Sequence, residues 1–133
     1  MRVYVFGNRD VACDAVALQV MDTLQGKIFG VDFVHVVPNA DVPFFDESPL
    51  VLMDVVYGLS EVRLFDESYL DRVVLPSRVS VHDFDLGFQL RYLKKLGKLG
   101  RVFIIGLPMS GTLDYDLIHS ILRKLVAHDM QGS

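Results

Sequence analysis

Short, uninterrupted apolar runs, each followed by a stretch with helical spacing, constrain this chain more than any other feature. Val3-Tyr4-Val5-Phe6, Leu50-Val51-Leu52-Met53 and Val102-Phe103-Ile104-Ile105 show no alternation of apolar and charged residues. Such runs suit strands buried on both faces, the situation in parallel sheets covered by helices. Gly7-Asn8 ends the first run, and residues 11–24 are apolar or small at almost every position, interrupted mainly by Asp14, Gln19 and Asp22. That pattern predicts a helix packed on the sheet. Residues 31–37 predict a second strand containing Asp32 and His35, and residues 61–65 alternate as an edge strand or antiparallel ribbon does. Val79-Ser80-Val81 is a short extended piece leading into His82-Asp83. Leu86, Leu90, Leu93 and Leu96 recur at helical spacing, with Arg91, Lys94, Lys95 and Lys98 on the other face. Leu113, Leu117, Ile118, Ile121, Leu122 and Leu125 predict a final amphipathic helix, with Asp114 and Asp116 early and Arg123 and Lys124 late, as the helix dipole favours. The fold class is therefore α/β, a three-layer α/β/α sandwich with a mostly parallel central sheet of about five strands.

With 133 residues the chain has room for a single domain, 1–133, and not for a separate substrate domain. At 51% hydrophobic and 23% charged residues it gains enough from burial to offset its ordering entropy, which excludes intrinsic disorder. Thirteen Lys and Arg against seventeen Asp and Glu give a net charge of -4, the wrong sign for nucleic-acid binding driven by phosphate contacts. The longest stretch without a charged residue, residues 102–113, contains Gly106, Pro108 and Gly111 and is too short to span a bilayer as a helix. Met1-Arg2 leads directly into strand pattern rather than into the apolar core of a signal peptide. The single cysteine, Cys13, makes no internal disulfide, which suits a reducing cytoplasm. Residues 38–49 hold three prolines and no periodicity, and a loop that long in a compact domain tends to be functional.

In open parallel sheets the ligand crevice lies outside the carboxyl ends of the strands. The ionisable residues that follow the apolar runs are Asp10 and Asp14 after the first, Asp54 after the central one, and His82 with Asp83 after the short one. Two carboxylates and an imidazole converging from three strands suit a divalent transition metal. Asp10 reads most simply as a helix N-cap. Asp14 lies in a helix apolar nearly all round, where an unpaired carboxylate is costly to bury. Asp54 reads equally as a cap of the following turn, and His82 as a capping or partly exposed histidine. A nucleophilic alternative uses Cys13, in the first helical turn, with His82 and Asp54; the competing reading of Cys13 is a small buried hydrophobe. Gly7-Asn8-Arg9 has neither dinucleotide nor Walker spacing. The basic residues between 91 and 101 read as a solvated helix face. Phe44 and Phe45 suit either partner contact or packing, and His119 and His128 surface positions.

The order of these pieces resembles the endopeptidases that mature the large subunit of nickel-iron hydrogenases. Val5-Phe6-Gly7-Asn8 looks like that family's first strand and Gly-Asn turn, and Cys13-Asp14-Ala15-Val16 its acidic pair opening the first helix. Residues 50–58, with Asp54 and Gly58, resemble the second acidic motif. Val81-His82-Asp83-Phe84-Asp85-Leu86 resembles the histidine motif, and Ile104-Ile105-Gly106-Leu107-Pro108 the Ile-Gly-x-x-Pro strand end. The likeness runs in order from residue 2 to about 126. It implies that Asp14, Asp54 and His82 are the catalytic and metal-contacting positions, and that the nickel they contact belongs to the immature large subunit. Cleavage in the family removes a C-terminal extension after nickel loading, and the peptidase keeps no metal of its own. Two departures stand out: Cys13-Asp14 replaces the family's Asp-Glu, one methylene shorter at the ligand position, and the usual second Gly before the Gly-Asn turn is missing. The resemblance thus implies a cytoplasmic, monomeric endopeptidase acting on a nickel-loaded hydrogenase precursor, with no nucleic-acid or membrane partner. The alternatives are a relative that binds the precursor without cutting it, and a thiol-dependent hydrolase using Cys13.

Overall fold

The structure is a computed structural model that describes residues 1–7, 15–36, 49–56, 58–66, 100–109 and 113–131, with 129–131 as backbone alone. In chain order its elements are β1 (Arg2–Phe6), α1 (Ala15–Leu24), β2 (Asp32–Val36), β3 (Leu50–Val55), β4 (Arg63–Asp66), β5 (Val102–Leu107) and α2 (Tyr115–Gln131). The strands form one five-stranded sheet in the order β2-β1-β3-β5-β4. All neighbours pair in parallel except β4, which runs antiparallel to β5 at the edge. The alternating segment expected at residues 61–65 is this edge strand, displaced by a residue or two.

Both sheet faces are buried, as the uninterrupted apolar runs require. Val3 and Val5 of β1, Val51 and Met53 of β3, and Ile105 and Leu107 of β5 form one core with Leu18 of α1 and Ile118 and Leu122 of α2. Tyr4, Phe6, Leu50, Leu52, Val102 and Ile104 form a second core on the opposite face. Each large side chain taken fully out of water contributes about 1.5–3 kcal/mol, so the two cores dominate stability. The mostly parallel α/β architecture is therefore the one the sequence predicts.

Two strands are longer than the apolar runs suggest. β3 continues through Asp54 to Val55, and β5 through Gly106 to Leu107, because the ladder between them continues with Asp54 opposite Gly106 and Val55 opposite Leu107. Gly106 does not end its strand; it is accommodated within it. A Cβ there would lie 2.9 Å from Leu59 Cδ1, 2.9 Å from Phe65 Cε2 and 3.0 Å from Val56 Cγ2, so neighbouring side chains already occupy that space. Gly58, in the turn after β3, has φ +89°, a conformation that side-chain-bearing residues rarely adopt.

α2 begins where Asp114 caps it: the Leu117 amide donates to Asp114 Oδ1 at 3.0 Å, satisfying one of the free donors of the first turn. Among the described residues no helix is long and apolar enough to cross a membrane. The extended piece at 79–81, the helical pattern at 86–96 and its basic residues, the proline-containing loop up to residue 48, and the helix pattern from 11 to 14 lie outside the described residues.

Candidate functional site

The strand order fixes where a ligand crevice belongs. From β1 the chain passes to β2 on one side, and from β2 to β3 on the other, so the direction of winding reverses between β1 and β3. Adjacent loops leave a sheet in opposite directions at such a point and open a crevice at the carboxyl ends of its strands. The register runs Val3 to Val51, Tyr4 to Leu52 and Val5 to Met53, which brings Phe6 and Asp54 side by side one step further on. Asp54 thus stands at the carboxyl end of β3, on the strand that borders the reversal.

Side chains alternate along a strand, so Asp54 falls on the face of Leu50 and Leu52, shared with Tyr4 and Phe6 of β1. Its other neighbour across the ladder is Gly106, which offers no side chain. The space above Gly106 is bounded by Leu59, Val56 and Phe65. Asp54 is half-buried, and its Oδ1 accepts a hydrogen bond from the Val55 amide at 2.8 Å. A carboxylate held by a backbone donor beside apolar walls is oriented before any ligand arrives, which is the requirement for a group that stabilises charge or moves a proton.

Gly7, the residue after β1, is held from the other face. His35 sits on β2 opposite Val5, and its Nε2 lies 3.0 Å from the carbonyl oxygen of Gly7. Because a carbonyl only accepts, this contact makes Nε2 the protonated ring nitrogen. Gly7 is buried, so the imidazole satisfies an acceptor that water does not reach. Sequence reasoning noted His35 only as a polar residue within a strand. The signal that identifies its role is the parallel register of β1 and β2, which no local pattern contains.

Of the three site residues expected from the sequence, Asp54 is described: it is the penultimate residue of β3, inside the strand rather than past its end, and beside the reversal point. Asp14 and His82 lie outside the described residues, as do Asp10, Asp83, Cys13, Phe44 and Phe45. Among the described residues no group of three His, Cys, Asp or Glu side chains is gathered in a way that holds a metal ion. His119 is half-buried and His128 exposed, both on α2.

The sheet order and the helices packed on it form an α/β fold that also occurs in solved structures. Two solved structures match over essentially the whole chain. One is the hydrogenase maturating endopeptidase HybD from E. coli, with a TM-score of 0.62 at 14% sequence identity, covering 100% of this chain and 94% of that one. The other is the hydrogenase 2 maturation peptidase from a Thaumarchaeota archaeon, with a TM-score of 0.52 at 19% identity and 98% of each chain covered. The shared property is the fold. The chain matches no protein-family model and no curated protein.

Proposed function

We propose that this chain is an endopeptidase that removes a C-terminal extension from the large-subunit precursor of a nickel-iron hydrogenase. The observation that carries the reading is the place of Asp54, the one proposed site residue that is described: it stands beside the reversal point of a sheet whose fold matches two maturation peptidases from end to end. In this reading Asp14, Asp54 and His82 contact nickel carried by the precursor, which serves as the recognition signal. The peptidase works as a cytoplasmic monomer and keeps no metal of its own. The small size of the protein suits such a division of labour, since the substrate supplies both the ion and the cleavable tail.

The test compares nickel-loaded with nickel-free precursor. Incubation with the protein is expected to shorten only the loaded form, read as a fall in the intact mass of the large subunit. Stable association without any change in mass would replace the reading with that of a non-catalytic binder. Equal shortening of both forms would remove nickel as the signal while leaving the peptidase in place.

A further inference from the structure

The paired part of β1 stops at Phe6, one residue before Gly7. Its ladder with β2 ends at Phe6 opposite Val36, and its pairing with β3 ends at Val5 opposite Met53. Gly7 is buried, and its carbonyl takes its donor from a side chain, the Nε2 of His35 at 3.0 Å. The register places His35 opposite Val5, so the ring reaches two residues, about 6.6 Å, along β1 to meet it. An imidazole or a Gln amide spans that step with an N–H at its tip, whereas Ser and Asn are too short.

The face on which this contact lies links it to the first helix. Val5, across the ladder from His35, and Phe33, two residues back along β2, belong to the core that α1 covers with Ala17, Leu18 and Val20. The chain on either side of residues 8–14 is therefore anchored, by His35 at Gly7 and by the buried side chains of α1 from Ala17 onward. Asp14 directly precedes Ala15, the first residue of α1, and so lies in sequence between the two anchors. Asp54 is carried by the strand on the other side of β1 from His35.

We propose that His35 is a positioning residue for cleavage: by holding the Gly7 carbonyl it fixes the point from which the chain departs toward Asp14, which has to meet the same substrate as Asp54. His35 acts through the backbone rather than on the precursor. The inference rests on the peptidase reading. A displacement of about 1 Å at a reacting group costs on the order of 100-fold in rate, so a single hydrogen bond at the start of this segment has a leverage on turnover that its own contribution to stability does not measure.

Three substitutions separate the donor from the ring. His35→Gln keeps an N–H at the required reach without the ring, His35→Phe keeps a ring without the donor, and His35→Ala keeps neither. Each is assayed on nickel-loaded precursor at a temperature at which circular dichroism shows the parent and all variants folded. The kcat is expected to fall about tenfold or more in the Phe and Ala variants and to recover most of that loss in the Gln variant, with KM changed by less than about threefold because Asp54 and His82 still meet the precursor. Amide hydrogen exchange over residues 7–16, measured without substrate, is expected to rise in the Phe and Ala variants and not in the Gln variant. A Phe variant with the kcat of the parent, or a Gln variant as slow as the Ala variant, would overturn the positioning role, as would exchange that none of the substitutions alters. A parent protein that cleaves no precursor would overturn the peptidase reading and the role in cleavage with it; the exchange profile, which needs no precursor, tells that outcome apart from failure of the anchor.

Discussion

Asp54 accepts a hydrogen bond from the amide of the next residue, so the strand that carries the carboxylate helps to orient it. Asn keeps an oxygen able to accept from Val55 but loses the charge, whereas Ala loses both. The Asp54→Asn protein is therefore expected to fold as the parent does, and Asp54→Ala to be less stable by about 1 kcal/mol, measured by urea denaturation. For His35 the consequence is structural and local. Replacing it by Ala strands the buried Gly7 carbonyl, at an expected cost of about 1–3 kcal/mol, while Gln, which retains a side-chain N–H, is expected to recover part of it. Equal unfolding midpoints for the Ala and Gln variants would contradict the assigned contact. At this scale the sequence was informative about Asp54 and silent about His35. An acid after a buried run is a local pattern, but a histidine reaching a carbonyl 28 residues away depends on strand pairing.

The elements differ in how much of them a local pattern can carry. β1 and the core of β3 were legible because residues buried on both faces must be apolar without alternation, and β4 because an edge strand alternates. The extension of β5 through Gly106 was not legible, since Leu59, Val56 and Phe65 reach it from the turn after β3 and from β4. Gly106→Ala is expected to destabilise by about 1–3 kcal/mol through overpacking, and Leu59→Ala in the same chain to return part of that loss. Strict additivity of the two substitutions, measured by denaturant unfolding, would show that Leu59 and residue 106 do not compete for space. α2 depends on its cap as well as its buried stripe. Asp114→Ala is expected to cost about 1 kcal/mol, with raised hydrogen exchange confined to the first turn of the helix.

Over the whole molecule, the strand order turns separate sequence signals into a site. The apolar runs announce a parallel sheet, but not that β5 inserts between β3 and β4, nor that the reversal falls between β1 and β3. Those facts follow from which strands pair, and pairing is a property of the assembled sheet. Once the order is known, the acid at the end of β3 stands beside the reversal point, where the crevice of an open parallel sheet belongs. The central claim is that the crevice at Asp54 cleaves a precursor. The most direct measurement is the intact mass of a nickel-loaded hydrogenase large subunit after incubation with the parent protein and, in parallel, with Asp54→Asn. The account predicts loss of a C-terminal peptide with the parent, and a rate lower by roughly 100-fold or more with the variant, the scale on which one positioned acid–base or charge-stabilising group acts. Unchanged mass with the parent protein for every hydrogenase precursor of the same organism, or equal rates for parent and variant, would contradict it.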